Sequence, residues 1–106
     1  MEMIHLLYHL QMSQSNSIRS KAGFAIASNT VLRNPEISLG EKALYCYLCS
    51  FADEDDITFV SVNRMATENG IGYSTALRYL RQLEDKQIIS RRQRAYGRST
   101  VTKILM

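Results

Sequence analysis

The chain has 106 residues, a mass of 12.1 kDa, 45% hydrophobic and 22% charged residues, and a net charge of +3. That length accommodates one domain and excludes a multi-domain enzyme, and every apolar segment is interrupted well before the roughly 20 residues that a membrane span needs. Five glycines and one proline exclude collagen-like or low-complexity sequence, and two cysteines cannot build the disulfide framework of a small secreted domain. A soluble protein in a reducing, cytoplasmic setting is expected. The opening MEMIHLLYHLQM lacks a basic segment ahead of its apolar run and reads poorly as a signal peptide.

Along the chain, Met3, Leu6, Leu7 and Leu10 fall at i, i+3, i+4 and i+7, a helical stripe that ends in the polar tract 13–20. Residues 1–23 are therefore an amphipathic arm and polar linker, and residues 24–106 form the domain. The arm's stripe must bury itself, either across the core of its own chain or against a second copy, as a homodimer through residues 1–12. The segment FAIASNTVL, from Phe24, is open between extended and helical. Beyond Pro35, Ser38-Leu39-Gly40-Glu41 is a capping box that starts a helix with Leu44, Tyr47, Leu48 and Phe51 on its core face.

The acidic run 53–56 ends that pattern and reads as a solvated loop, and Ile57 to Val60 is a short strand candidate. Ser61 caps a second helix with Val62, Met65 and Ala66 on one face, closed at Asn69-Gly70. After the turn Gly70-Ile71-Gly72, a third helix runs from Tyr73 to Lys86, with Ala76, Leu80 and Leu83 inward, Tyr79 beside them, and Ser74, Arg78 and Arg81 nearly opposite. Ile88 to Gln93 and Ser99 to Leu105 are β-prone runs around a basic tip, Arg94-Ala95-Tyr96-Gly97-Arg98.

Charge is segregated along this order. Residues 1–60 carry four basic and seven acidic side chains, a net of −3, and residues 61–106 carry nine basic and three acidic, a net of +6. A basic region on a mildly acidic domain suits a polyanion. Two helices joined by a short glycine-containing turn and followed by a basic hairpin have the plan of an α+β winged helix-turn-helix: a three-helix core with a short strand and a C-terminal β-hairpin wing. Such a domain sets its second helix of the pair into the major groove of double-stranded DNA, which calls for short hydrogen-bonding side chains early and cations along the groove walls. Tyr73, Ser74, Thr75, Arg78 and Arg81 answer that description. Arg91, Arg92, Arg94 and Arg98, four arginines in eight residues, suit phosphate.

The segment MATENGIGYSTALRYLRQLEDKQII resembles bacterial winged helix proteins, with Ala66, Gly70, Ile71, Thr75, Leu80, Leu83, Glu84, Ile88 and Ile89 at matching positions. Upstream, ISLGEKALYCYLCSFADEDDITFVSVNRMA is similar to helix-turn-helix domains of phage, prophage and plasmid replication or regulatory proteins of Gram-positive bacteria, the DnaD-like replication organisers among them. The resemblance spans roughly residues 24 to 105. It implies double-stranded DNA binding at an origin or operator, with Tyr73, Ser74, Thr75 and Arg78 on the recognition helix and Arg94 and Arg98 in the wing. Gly72 stands where that family has a capping serine, Val60 where proline is common, Gln87 where glycine closes the helix, and Leu77 where a polar groove-facing residue is frequent. Leu77 is open between burial and contact with a thymine methyl.

No catalysis, cofactor or small-molecule substrate is expected. His5-x-x-x-His9 with Cys46-x-x-Cys49 would supply four zinc ligands, but the pairs lie on separate amphipathic helices and the cysteines read as small core residues, so no metal is expected either. The rival class is a winged helix that assembles proteins rather than DNA. A positive stripe over the third helix favours DNA, and an apolar patch there favours protein.

Overall fold

A computed structural model describes residues 23–93 and 100–106; the arm, most of its linker and the wing tip, with Arg94 and Arg98, lie outside the described residues. The segment left open at Phe24 is irregular at first and then helical. Residues 23–28 carry no regular structure, then α1 (Asn29–Leu32) makes a single turn, capped where Ser28 Oγ accepts the Thr30 N–H at 3.2 Å and anchored by buried Val31. Helix α2 (Leu39–Phe51) starts at the capping box: Ser38 Oγ accepts from the Glu41 N–H at 3.3 Å, and Glu41 Oε2 accepts from the Ser38 N–H at 2.8 Å.

The buried face of α2 is Glu41, Leu44, Tyr45 and Leu48, not the expected Leu44, Tyr47, Leu48 and Phe51. Tyr45 is fully buried, while Tyr47 and Phe51 are half-buried and meet edge to face at 4.9 Å. The stripe is turned because Glu41 can sit inside. At 3% exposure its carboxylate accepts from Ser38 N and pairs with Lys86 Nζ at 2.5 Å, so a charge that normally stays in water is satisfied.

The acidic run is the loop that was expected. Asp53 Oδ1 accepts from the N–H groups of Asp55 and Ile57, at 2.8 and 3.1 Å. Strand β1 (Ile57–Thr58) is half the predicted length, because Val60 turns into the core ahead of the next helix. Helix α3 (Val62–Asn69) is capped by Ser61 Oγ, which accepts from Arg64 N at 3.1 Å, and buries Met65 and Ala66. It closes at Gly70, whose φ of 65° is the left-handed conformation that glycine adopts without strain, and the Ile71 N–H donates to Ala66 O at 3.0 Å.

Helix α4 (Tyr73–Asp85) follows after three residues and buries Ala76, Leu80 and Leu83. Gly72 is its N-cap and contributes no side-chain bond. α2 and α4 approach closely at Gly40, where a Cβ would collide with the ring of Tyr79. Strands β2 (Ile89–Gln93) and β3 (Thr100–Ile104) pair antiparallel, and β1 adds to the other side of β3 to give the order β1-β3-β2. Thr58, Thr102 and Arg91 stand side by side across that sheet. Val31, Leu44, Tyr45, Leu48, Met65, Leu80, Leu83, Ile88, Ile89 and Ile104 join helices and sheet in one core. This is an α+β winged helix.

Candidate nucleic-acid interface

The turn between α3 and α4 fixes what α4 shows to solvent. Its apolar residues at i, i+4 and i+7 are spent on the core, so Ser74, Arg78 and Arg81 are left exposed on the outward side. Tyr73, the first helical residue, is 50% exposed, and Thr75 is half-buried. Leu77 is half-buried. The Arg78 guanidinium lies 5.3 Å from the ring centroid of Tyr79, a cation-π distance that steadies it along the helix. Among the described residues, the other large exposed apolar side chains are Phe24, Ile26, Leu39, Phe59, Leu105 and Met106, none of them on α4.

The arginines of β2 do not act as one group. Side chains alternate along a strand, and Ile89 is buried, so Arg91 shares the inward face and Arg92 the outward one with Ser90. Arg91 lines a concavity of about 200 Å³ together with Ser61, Asn63, Tyr73 and Thr100, where strand β2 meets the starts of α3 and α4. Its Nε is buried without a hydrogen-bond partner among the described residues, and burial pushes the guanidinium pKa below its ordinary value. Arg92 lies beside Ile57, Val101 and Lys103 on the open face of the sheet. Sequence reading placed all four arginines in a wing. Counting by twos from Ile89 separates Arg91 from Arg92, while its placement in one concavity with Tyr73 comes from the fold.

Two further features bear on this face. Glu41 and Lys86 tie the start of α2 to the end of α4. Burial raises the Glu41 pKa, but hydrogen bonds from Lys86 and Ser38 outweigh it and hold the carboxyl below 4.5. Arg64 on α3 stacks over Phe51 at 4.8 Å and pairs with Glu68 at 2.9 Å, and Glu68 also accepts from the Tyr47 hydroxyl, so α3 is clamped to α2 at the surface. Burial and that hydrogen bond push the Tyr47 phenol up to about 12.

Cys46 and Cys49 are half-buried on α2, with burial raising both thiols. Among the described residues no group of three or more His, Cys, Asp or Glu side chains could hold a metal ion; His5 and His9 lie outside them. Among those same residues no helix is long and apolar enough to cross a membrane.

A family model for a helix-turn-helix domain matches residues 36–89, half of the chain, from the turn before α2 to the first residue of β2. The chain belongs to that helix-turn-helix domain family, whose members are DNA-binding, non-catalytic modules. No curated protein matches it.

Proposed function

We propose that the chain binds double-stranded DNA in a sequence-specific way, with α4 in the major groove and the basic wing on the backbone, and that it controls replication initiation or transcription of a phage, prophage or plasmid. The observation that carries the reading is the outward side of α4, a helix held by a three-residue turn, which offers Ser74, Arg78 and Arg81 to solvent and no aliphatic patch. That side suits base edges and phosphates, and it lacks what a protein-binding helix needs. The setting in a mobile element is supported by the resemblance of residues 24–105 to replication and regulatory domains. In this reading Tyr73, Ser74, Thr75, Arg78 and Arg81 address the groove, while Arg91, Arg92, Arg94 and Arg98 take phosphates. Arg91, beside Tyr73, serves the backbone at the start of α4, apart from the wing tip. DNA binding in this form does not depend on whether residues 1–12 join two copies; two copies would add a second half-site.

Salt titration tests it. If about five phosphates are neutralised, log K against log salt should fall with a slope near −4 to −5, because each contact releases roughly 0.9 counterion. Arg78→Ala should erode discrimination between selected and random DNA by about 1 to 3 kcal/mol, while Arg94→Ala weakens both alike. Absence of duplex binding at low ionic strength, or a flat salt response, ends the reading.

A further inference from the structure

We propose that the apolar stripe Met3, Leu6, Leu7 and Leu10 seats, in the same chain, in a groove that the described residues form beside residue 24. The groove encloses about 480 Å³ between the stretch that leads into α1, the end of α2 and the residues after β3. Ile26, Cys49, Ala52, Leu105 and Met106 line it, with Asp53 and Asp56 at its polar rim. Ile26 is 81% exposed, Leu105 49% and Met106 46%, a local concentration of apolar surface beside acidic side chains. The walls are held in place independently of any occupant. The fully buried Tyr45 accepts the Ser28 N–H at 2.9 Å and donates to Met106 O at 2.7 Å, which fixes one wall to the other.

The occupant follows from where the chain enters. Residues 1–22 join the described fold at Gly23, next to the lining residue Phe24. They contain four apolar side chains on one helical face, over seven residue steps or roughly 10 Å of helix, which matches a groove of this size. Charge agrees: Glu2 is the only carboxylate in that segment, and Arg19 and Lys21 lie just ahead of a groove rimmed by Asp53 and Asp56. The same chain is preferred over a second copy by concentration. Residues 11–22 are mostly polar in sequence, and a flexible tether of twelve residues would span about 19 Å and present the stripe at an effective concentration on the order of millimolar. At micromolar protein a second copy cannot match it, so of the two burials open to the stripe, its own chain or a second copy, the first is favoured.

Cys49 in the groove makes the test. In the full chain carrying Cys46→Ser, single variants Leu6→Cys, Leu7→Cys and His5→Cys are equilibrated at micromolar concentration in a glutathione redox buffer and read by non-reducing mass spectrometry. The expected product is an intrachain disulfide to Cys49 at monomer mass, forming several-fold faster from a stripe position than from His5, which a helical wheel of the sequence sets opposite the stripe. Equal rates from all three positions mean that a loose tether merely collides with the groove, and they overturn the proposal. A disulfide-linked dimer as the main product overturns it in favour of a second copy. In a second measurement, with both native cysteines in place, Leu6→Asp with Leu7→Asp should speed maleimide labelling of Cys49 several-fold, while far-UV circular dichroism reports that the fold is kept. An unchanged labelling rate overturns the proposal as well. Neither readout involves DNA, so the outcome stands apart from that of the DNA-binding experiments.

Discussion

The outward side of α4 and the groove at the chain ends draw on the same core and present contrasting surfaces. On α4, Ala76, Leu80 and Leu83 are buried, and the exposed residues are Tyr73, Ser74, Arg78, Arg81 and Asp85, two guanidinium groups against one carboxylate. At the groove, Ile26, Leu105 and Met106 form an apolar surface beside two aspartates. A surface meant for DNA must be cationic and rich in donors, because the ligand is a polyanion whose base edges are read by hydrogen bonds. A surface that leaves aliphatic carbon exposed, with carboxylates around it, repels that ligand and suits protein. The two surfaces thus sort the two partners by chemistry, and each can be perturbed without touching the other.

The largest of these separable effects is at Tyr45. Tyr45→Phe removes the hydroxyl that joins Ser28 to Met106 and should cost about 1 to 3 kcal/mol, two hydrogen bonds at roughly 0.5 to 1.5 each, measured by urea denaturation. DNA affinity of the folded variant should be unchanged, and a matching loss there would show that the two surfaces are coupled. Alkali adds a second readout. Burial pushes the Tyr45 phenol from 10.0 up to about 12, so the fold favours the neutral form. Its stabilisation is complete below pH 10 and is lost as pH rises towards 12, since the unfolded chain ionises first. Tyr47, also raised to about 12, behaves alike, so Tyr45→Phe should reduce the alkaline slope without abolishing it.

Much of this architecture is legible in the sequence because its signals are local. The capping box at Ser38, the serine cap at Ser61, the glycine closure at Gly70 and the inward face of α4 each depend on residues within about two turns of one another, and all are found where the sequence puts them. The misplaced core face of α2 has a distant cause. Glu41 is recognisable as a capping residue, but nothing nearby says that Lys86, 45 positions on, will meet it and let it be buried. With Glu41 assigned to water, the stripe is drawn one step round the helix and picks Tyr47 and Phe51 in place of Tyr45. The groove is illegible for the same reason, since Tyr45 ties together segments 17 and 61 residues away. Arg91 is an error of grouping: a run of arginines reads as one patch, although strand alternation divides it.

The ion pair that misled the sequence reading gives a smaller effect on the α4 side of the comparison. Glu41→Gln keeps an acceptor for the Ser38 N–H but removes the charge facing Lys86, and should cost about 1 kcal/mol at neutral pH, a value held down by the partial exposure of Lys86. The sign with acid is set by the lowered pKa of Glu41. A carboxyl whose pKa falls on folding stabilises fully above its unfolded value, near 4.5, and loses that contribution as pH drops through the folded one. The native chain should therefore lose stability more steeply than the variant below about pH 4.5. Parallel acid profiles for the two chains would show that Glu41 is not held as its neighbours suggest.

The smallest effect lies at the end of α4, where the chain turns into β2. Gln87 has a φ of 61°, so a residue with a Cβ occupies the left-handed closing position, while Gln87 N donates to Glu84 O at 2.9 Å and Ile88 N donates to Leu83 O at 3.0 Å. The left-handed conformation costs an L-residue about 1 to 2 kcal/mol, and glycine avoids that cost but loses more chain entropy on folding, so Gln87→Gly should gain roughly 0.5 kcal/mol. Gln87 is exposed, so the substitution removes no packing. Because the turn also sets the path from α4 into the strand that carries Arg91 and Arg92, the gain should appear in the urea midpoint with DNA affinity unaltered. A drop in affinity together with a higher midpoint would mean that glutamine at this turn holds β2 at an angle to α4 that DNA binding requires, and the strain at Gln87 would then belong to function.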